Sequence, residues 1–167
     1  MNVTFKKNAG VRGFTLIEAL IAMVVLAVLA GIAIPNYTSY VNRSKRAAAK
    51  TVLMDAANAL ERNYTTFGCY NKTFVAVCQS QAAGSAFTLT NVTAPPDGRA
   101  AYIIGFAAGP TSQGYTLSAT PCGSSGACPA GSEAFVDSEC GTLTLTQAGA
   151  RAISGTVTST AAVCWQR

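Results

Sequence analysis

The chain has 167 residues, with twelve Lys and Arg against seven Asp and Glu, a formal charge of +5, and no histidine. The missing histidine removes the commonest general base and imidazole metal ligand, which leaves acid–base and zinc-type chemistry little to work with. The basicity is uneven: Lys6, Lys7 and Arg12 precede an apolar run, Arg43, Lys45, Arg46 and Lys50 follow it, and from Asn63 onward Lys72, Arg99, Arg151 and Arg167 balance Asp97, Glu133, Asp137 and Glu139, so overall charge does not argue for nucleic-acid binding.

The first segment, residues 1–13, is a short polar leader ending in Arg12-Gly13. From there to Arg43 the only charged residue is Glu18. About 20 apolar residues span a bilayer as a helix, so residues 14–35 are expected to form a single-pass membrane helix. The order of parts differs from a secretory signal, in which the small residue follows the apolar core and the core is lost. Here Gly13 comes first, and cleavage after it would leave the helix on the mature chain, beginning at Phe14. An intramembrane carboxylate costs on the order of 2.5–3.5 kcal/mol on insertion scales, so Glu18 is a functional candidate. It lies about 6 Å from the start of that helix at 1.5 Å per residue, within reach of a protonated amine or of the headgroup level.

Gly31 and Pro35 weaken the helix at the end of the apolar run, Pro35 through its missing N–H and its clash with the turn before it. The helical pattern then resumes. Tyr37, Tyr40, Val41, Ala48, Val52, Ala56, Ala59 and Leu60 recur at three- and four-residue spacings, with Arg43, Lys45, Arg46, Lys50, Glu61 and Arg62 between them. This predicts an amphipathic half over 36–63, and one kinked helix from about Phe14 to about Asn63 whose second half packs on a globular domain.

That domain is expected to occupy 64–167. Cys69 to Ser85 reads as an irregular connecting loop. Period-two alternation then predicts about four half-buried strands, around Phe87–Leu89, Tyr102–Phe106, Tyr115–Ala119 and Leu143–Leu145. Asp97-Gly98 and Gln113-Gly114 are turn material. The acidic cluster Glu133, Asp137 and Glu139 reads as a solvated loop face. All six cysteines, Cys69, Cys78, Cys122, Cys128, Cys140 and Cys164, lie beyond the apolar run. An even count in an exported domain argues for disulfides, and without Cys-x-x-Cys or histidine no metal site is expected. Six cysteines admit fifteen pairings; the expectation is sequence neighbours, Cys69–Cys78, Cys122–Cys128 and Cys140–Cys164. The fold class is therefore α+β, a long N-terminal helix on a small disulfide-stabilised antiparallel sheet.

The basic leader, the Gly13-Phe14 junction, Phe14-Thr15-Leu16-Ile17-Glu18 and the apolar helix behind it together resemble the type IV pilins and pilin-like proteins. The stretch Cys140-Gly-Thr-Leu-Thr-Leu-Thr-Gln-Ala-Gly149, with Cys164-Trp165 near the end, is similar to a subset of minor pilins. The resemblance implies that a prepilin peptidase cuts after Gly13 and methylates the Phe14 amine. It also implies that Glu18 pairs with the Phe14 amine of a neighbouring subunit during assembly, and that the segment near Gly31 and Pro35 lends the helix flexibility. The family's usual second helix glycine is Ala27 here, so any melting would be shorter.

On that resemblance the chain is expected to be a structural subunit of a type IV pilus, a minor pilin rather than an enzyme, with no cofactor. Its implied partners are other pilin subunits, the prepilin peptidase and the inner-membrane assembly machinery. It would sit in the bacterial inner membrane before assembly and on the cell surface afterwards, serving pilus assembly, motility or adhesion. Two alternatives stand beside this reading: a competence pilin that binds DNA for uptake, which the dispersed Lys72, Arg99, Arg151 and Arg167 do not support, and a pseudopilin of a type II secretion system.

Overall fold

The computed structural model describes residues 13–71, 87–90, 92–96, 98–125 and 128–166. The chain divides into two units, Met1–Tyr40 and Val41–Arg167. Helix α1 is Leu16–Phe67.

In the first unit, α1 opens on Thr15, whose Oγ1 accepts from the Glu18 N–H at 3.3 Å. Thr15-x-x-Glu18 has the form of a capping box, so one of the helix's orphan amides is met by the cap. Pro35 lies inside the helix and does not interrupt it. Asn36 Nδ2 donates to the Ile32 carbonyl at 3.1 Å and Thr38 Oγ1 to the Pro35 carbonyl at 2.9 Å, so side chains supply donors in the region where the proline lacks one. Tyr37 and Tyr40, expected on the packed stripe, are 68% and 72% exposed.

In the second unit, α1 runs one turn past the expected Asn63. It ends at Gly68, whose positive φ of 77° and N–H bond to the Tyr64 carbonyl (2.7 Å) make a left-handed cap. The buried stripe is Arg46, Ala49, Val52, Leu53, Ala56 and Leu60. It replaces the expected Ala48 and Ala59 with Ala49 and Leu53, and it includes a charged residue.

Among the described residues the sheet has five strands in the order of the chain, every neighbour antiparallel: β1 Thr93–Ala94, β2 Tyr102–Ala108, β3 Thr116–Pro121, β4 Thr142–Thr146 and β5 Arg151–Ser154. The strands expected around Tyr102, Tyr115 and Leu143 are β2, β3 and β4. Phe87–Leu89 is not a strand; its alternation reflects Leu89 buried and Phe87 half-buried against the core from a loop. The edge strands β1 and β5 were not anticipated, because β1 has two residues and β5 keeps only Ile153 partly buried. A six-residue helix α2, Ala161–Gln166, closes the chain and is too short for a periodic signal.

One face of the sheet, with Tyr102, Ile104, Leu117, Ala119, Leu143 and Leu145, shares a core with Leu53 and Leu60 of α1 and with Phe135, Cys140, Cys164 and Trp165. Cys122–Cys128 and Cys140–Cys164 are disulfides. Cys78 of the expected Cys69–Cys78 bridge lies outside the described residues, as do Lys72, Asp97, Arg167 and most of the loop expected over Cys69 to Ser85.

Candidate functional site

The apolar half of α1 is the first candidate. Phe14 just before it and its own large side chains from Leu16 to Ile34 are 50–79% exposed. Gly13 and Phe14 precede the helix and are exposed, and so is Glu18 within its first turn. A Cβ at Gly31 would meet nothing within 4 Å, so no contact within the chain requires that glycine.

The second candidate is an ion-pair cluster. Arg46 is 5% exposed, and so is Asp137. Arg46 Nε and Nη2 donate to Asp137 Oδ2 and Oδ1, each at 2.7 Å, and Nη2 also lies 2.7 Å from Glu139 Oε2. Tyr102 Oη donates to Asp137 Oδ2 at 2.6 Å. The backbone N–H groups of Glu139 and Cys140 donate to Asp137 Oδ1 at 3.2 and 3.0 Å. Beside it, Lys45 Nζ pairs with Glu133 Oε1 at 2.5 Å and lies 4.5 Å from the centre of the Phe135 ring.

The solvated acidic face expected at Glu133, Asp137 and Glu139 is therefore corrected at Asp137, which is buried, while Glu133 and Glu139 keep 40% and 48% of their side chains exposed. All three meet cations of α1, and Asp137 is buried because one guanidinium, one tyrosine hydroxyl and two backbone amides satisfy its oxygens. Burial pushes the Asp137 carboxyl up, but the hydrogen bonds from Arg46, Tyr102 and Cys140, together with the Arg46 charge, outweigh it and hold it below the usual value of 3.8. Burial pulls Arg46 down, and the bonds and charges of Asp137 and Glu139 more than reverse that, so it stays cationic. Burial, then the bond to and charge of Asp137, push the Tyr102 hydroxyl far above its usual 10.0.

The cluster reaches the C-terminal bridge through the chain itself. Asp137 caps the amide of Cys140, and Gly141 N–H bonds the Asp137 carbonyl at 2.8 Å. Gly141 has φ +59°, and a Cβ there would collide with the Ser154 carbonyl oxygen, so only glycine fits between the bridge and β5. From the other side, Lys50 Nζ donates to the carbonyls of Cys164 (3.2 Å) and Trp165 (3.5 Å) near the end of α2. Burial, then the charges of Arg46 and Arg151, lower the Lys50 pKa. Trp165 Nε1 donates to the Ala152 carbonyl at 3.1 Å, and the Arg151 guanidinium lies 5.4 Å from the ring centre. Four sequence-distant segments thus lock on one bridge.

A third cluster lies near the end of α1. Glu61 accepts from Tyr70 Oη at 3.1 Å and from Tyr115 Oη at 3.2 Å, while Tyr70 stacks against Tyr64 at 4.6 Å and edge-on to Tyr115 at 4.9 Å. Burial first, then Glu61, raises both Tyr70 and Tyr115 hydroxyls above 10.0.

Sequence reasoning groups Glu133, Asp137 and Glu139 only as a solvated face and pairs none of them with α1, yet one signal was present. Arg46, Ala49, Leu53, Ala56 and Leu60 fall at alternating three- and four-residue steps, so an arginine occupies a core position of the stripe. A charge there demands a buried partner. Among the described residues no group of three His, Cys, Asp or Glu is placed to hold a metal ion.

Comparison with known proteins bears on both halves of the chain. The family described as "Type IV minor pilin ComP, DNA uptake sequence receptor" matches residues 35–144, more than half of the chain, and the prokaryotic N-terminal methylation motif matches residues 8–34. The type IV major pilin protein PilA of Myxococcus xanthus (strain DK1622) is 52% identical over 42 residues, which is 25% of this chain and 19% of that protein. The type IV major fimbrial protein FimA of Dichelobacter nodosus is 39% identical over 61 residues, 30% of this chain and 38% of that protein. The chain thus spans well under half the length of these two relatives. A solved type IV pilin from Shewanella oneidensis aligns over 65% of this chain and 88% of its own at 25% identity, with a TM-score of 0.35.

Proposed function

The chain belongs to the ComP family of type IV minor pilins, and from that premise we propose that it is a structural subunit of a type IV pilus. The observation that carries the reading is the apolar half of α1. An exposed hydrocarbon surface running from Phe14 to Ile34 far exceeds what a soluble monomer leaves in water. Its length and composition suit a bilayer, and a bundle of like helices covers it equally well.

The precursor is anchored in the inner membrane by this helix. A prepilin peptidase cuts after Gly13 and the new Phe14 amine is methylated, as the methylation motif over residues 8–34 supports. Glu18, in the first turn of α1, then pairs with the Phe14 amine of a neighbouring subunit, which removes the cost of an isolated charge in hydrocarbon. Gly31 and Pro35 lend flexibility to the end of the apolar half of α1. The disulfide-braced domain is the part displayed outside. No catalytic role is assigned, since the carboxylates and tyrosines that group together serve structural bonds. Shearing of cell-surface filaments tests the reading. The chain is expected in the sheared fraction and, without the filament machinery, only in membranes; absence from sheared filaments overturns it.

The description of the matched family favours a second reading, reception of DNA at the pilus. The exposed arginines of the described domain are Arg43, Arg62, Arg99 and Arg151. A gel shift whose affinity falls with rising salt supports this role; no shift at low salt excludes it.

A further inference from the structure

Two aromatic side chains stand just past the apolar run, within the first unit. Tyr37 and Tyr40 are 68% and 72% exposed, as open as the leucines and isoleucines before them. Ile34, Tyr37 and Tyr40 follow one another at three-residue steps on α1, so the rings continue one side of the exposed apolar surface. Between them, Asn36 and Thr38 turn their donors onto carbonyls of the helix itself. Among the described residues, neither phenol hydroxyl makes a hydrogen bond. No charged residue lies between Glu18 and Arg43.

The spacing matches a bilayer. From Leu16 to Ile34, α1 rises about 27 Å at 1.5 Å per residue, close to a hydrocarbon layer about 30 Å thick. Along the axis, Tyr37 then lies about 4.5 Å and Tyr40 about 9 Å beyond Ile34. The headgroup layer on each side is about 5–7 Å deep. Helix side chains lean toward the N-terminus, which brings the Tyr40 ring back toward that layer.

We propose that Tyr37 and Tyr40 are an interfacial anchor: they dock on the phospholipid headgroups where α1 leaves the bilayer, and they set the depth of the helix. The proposal rests on the reading of α1 as a membrane span. A phenol has an apolar body and a polar tip, which suits the layer between hydrocarbon and water. The apolar run of a second copy is a poorer cover. It would press the two hydroxyls against side chains that offer no partner, whereas headgroups and their water offer acceptors on every side. The anchor also bears on Glu18, which lies about 28 Å from Tyr37 along α1. Rings held at one edge of the hydrocarbon hold Glu18 just inside the other.

The test uses the full mature chain in phosphatidylcholine vesicles, with one nitroxide attached at Ala27→Cys or at Ser39→Cys; wild type treated with the label is the blank. Collisions with oxygen, which concentrates in hydrocarbon, and with a nickel chelate, which stays in water, report the depth of each label. The label at 27 should collide with oxygen and be shielded from nickel. The label at 39, between the two rings, should show intermediate values. Tyr37→Ser/Tyr40→Ser should raise its nickel collisions about twofold, as the segment leaves the headgroup layer for water, and Tyr37→Trp/Tyr40→Trp should keep the wild-type value because indole favours the same layer. If the double serine variant does not insert, Tyr40→Ser alone replaces it, with a smaller rise in the same direction.

A label at 39 as open to nickel as in water overturns the proposal, and so does a serine variant with unchanged collisions or a tryptophan variant that behaves like serine. It is also overturned if nickel collisions at 39 rise when the protein is diluted in lipid, which would assign the rings to a second copy of the chain. In all these outcomes a shielded label at 27 leaves the membrane span standing. A label at 27 that is open to nickel instead removes the span itself, and the anchor with it.

Discussion

Arg46 on α1 and Asp137, 91 residues later, form a two-pronged ion pair in which both side chains are almost wholly buried. Taking both charges out of water is costly, and only the completeness of the bonding around Asp137 offsets it. The pair fixes where the second half of α1 sits on the loop before the Cys140–Cys164 bridge.

Removing one partner should therefore hurt more than removing both. Asp137→Asn leaves a buried guanidinium with Glu139 alone, and should lower stability by roughly 3 kcal/mol. Arg46→Met should cost a similar amount. The double variant should cost much less than the sum, because the two residues share one interaction. Thermal unfolding of the three variants checks this; additive losses would mean the pair is not coupled.

The same pair sets a pH window. The folded Asp137 carboxyl titrates below its usual 3.8, so its contribution is complete above that value and is lost as pH falls through the lower folded value. The folded Tyr102 hydroxyl titrates above its usual 10.0, so its contribution is complete below 10.0 and is lost as pH rises through the higher folded value. Unfolding followed across pH should show a plateau between these limits. Asp137→Asn should flatten the acid limb and Tyr102→Phe the alkaline one.

The Cys140–Cys164 bridge closes a separation of 24 residues, for which loop-closure entropy gives about 3 kcal/mol. Cys140→Ala/Cys164→Ala should lose about that much and should expose Trp165, which its 8% exposure and bond to Ala152 now keep covered. A red shift of tryptophan emission together with the lower melting temperature is the expected reading. An unshifted spectrum would mean that Lys50 and the Ala152 bond hold α2 unaided.

Much of the architecture was legible because the signals were local. The apolar run, the amphipathic half of α1 and the strands around Tyr102, Tyr115 and Leu143 each carry their periodicity in adjacent residues. The misses share a different cause. β5 keeps one partly buried residue, so it alternates too weakly to see, and Phe87–Leu89 alternates without a partner strand. Asp137 looked like surface, as its neighbours Glu133 and Glu139 largely are, because burial of a carboxylate depends on partners far away in sequence. Arg46 did mark the place, as a charge on an apolar stripe, but nothing local said which acid it meets.

If Glu18 pairs with the Phe14 amine of a neighbouring subunit as proposed, it should separate insertion from assembly. Glu18→Val makes the helix more apolar, so membrane insertion should survive, and cleavage, which reads the leader and Gly13, should survive too. Entry into the filament should fail, because the neighbour's Phe14 amine would face hydrocarbon unpaired at a cost of several kcal/mol. The ratio of sheared to membrane-bound chain should drop well below that of wild type. An unchanged ratio would place Glu18 at the headgroup level with no part in assembly.

The most direct test of the account is the intact mass of the chain recovered from sheared filaments. It predicts a mature protein that begins at Phe14, lacks residues 1–13, carries one N-methyl group and retains the whole apolar half of α1. A chain that still begins at Met1, or one that begins beyond the apolar run, would contradict it.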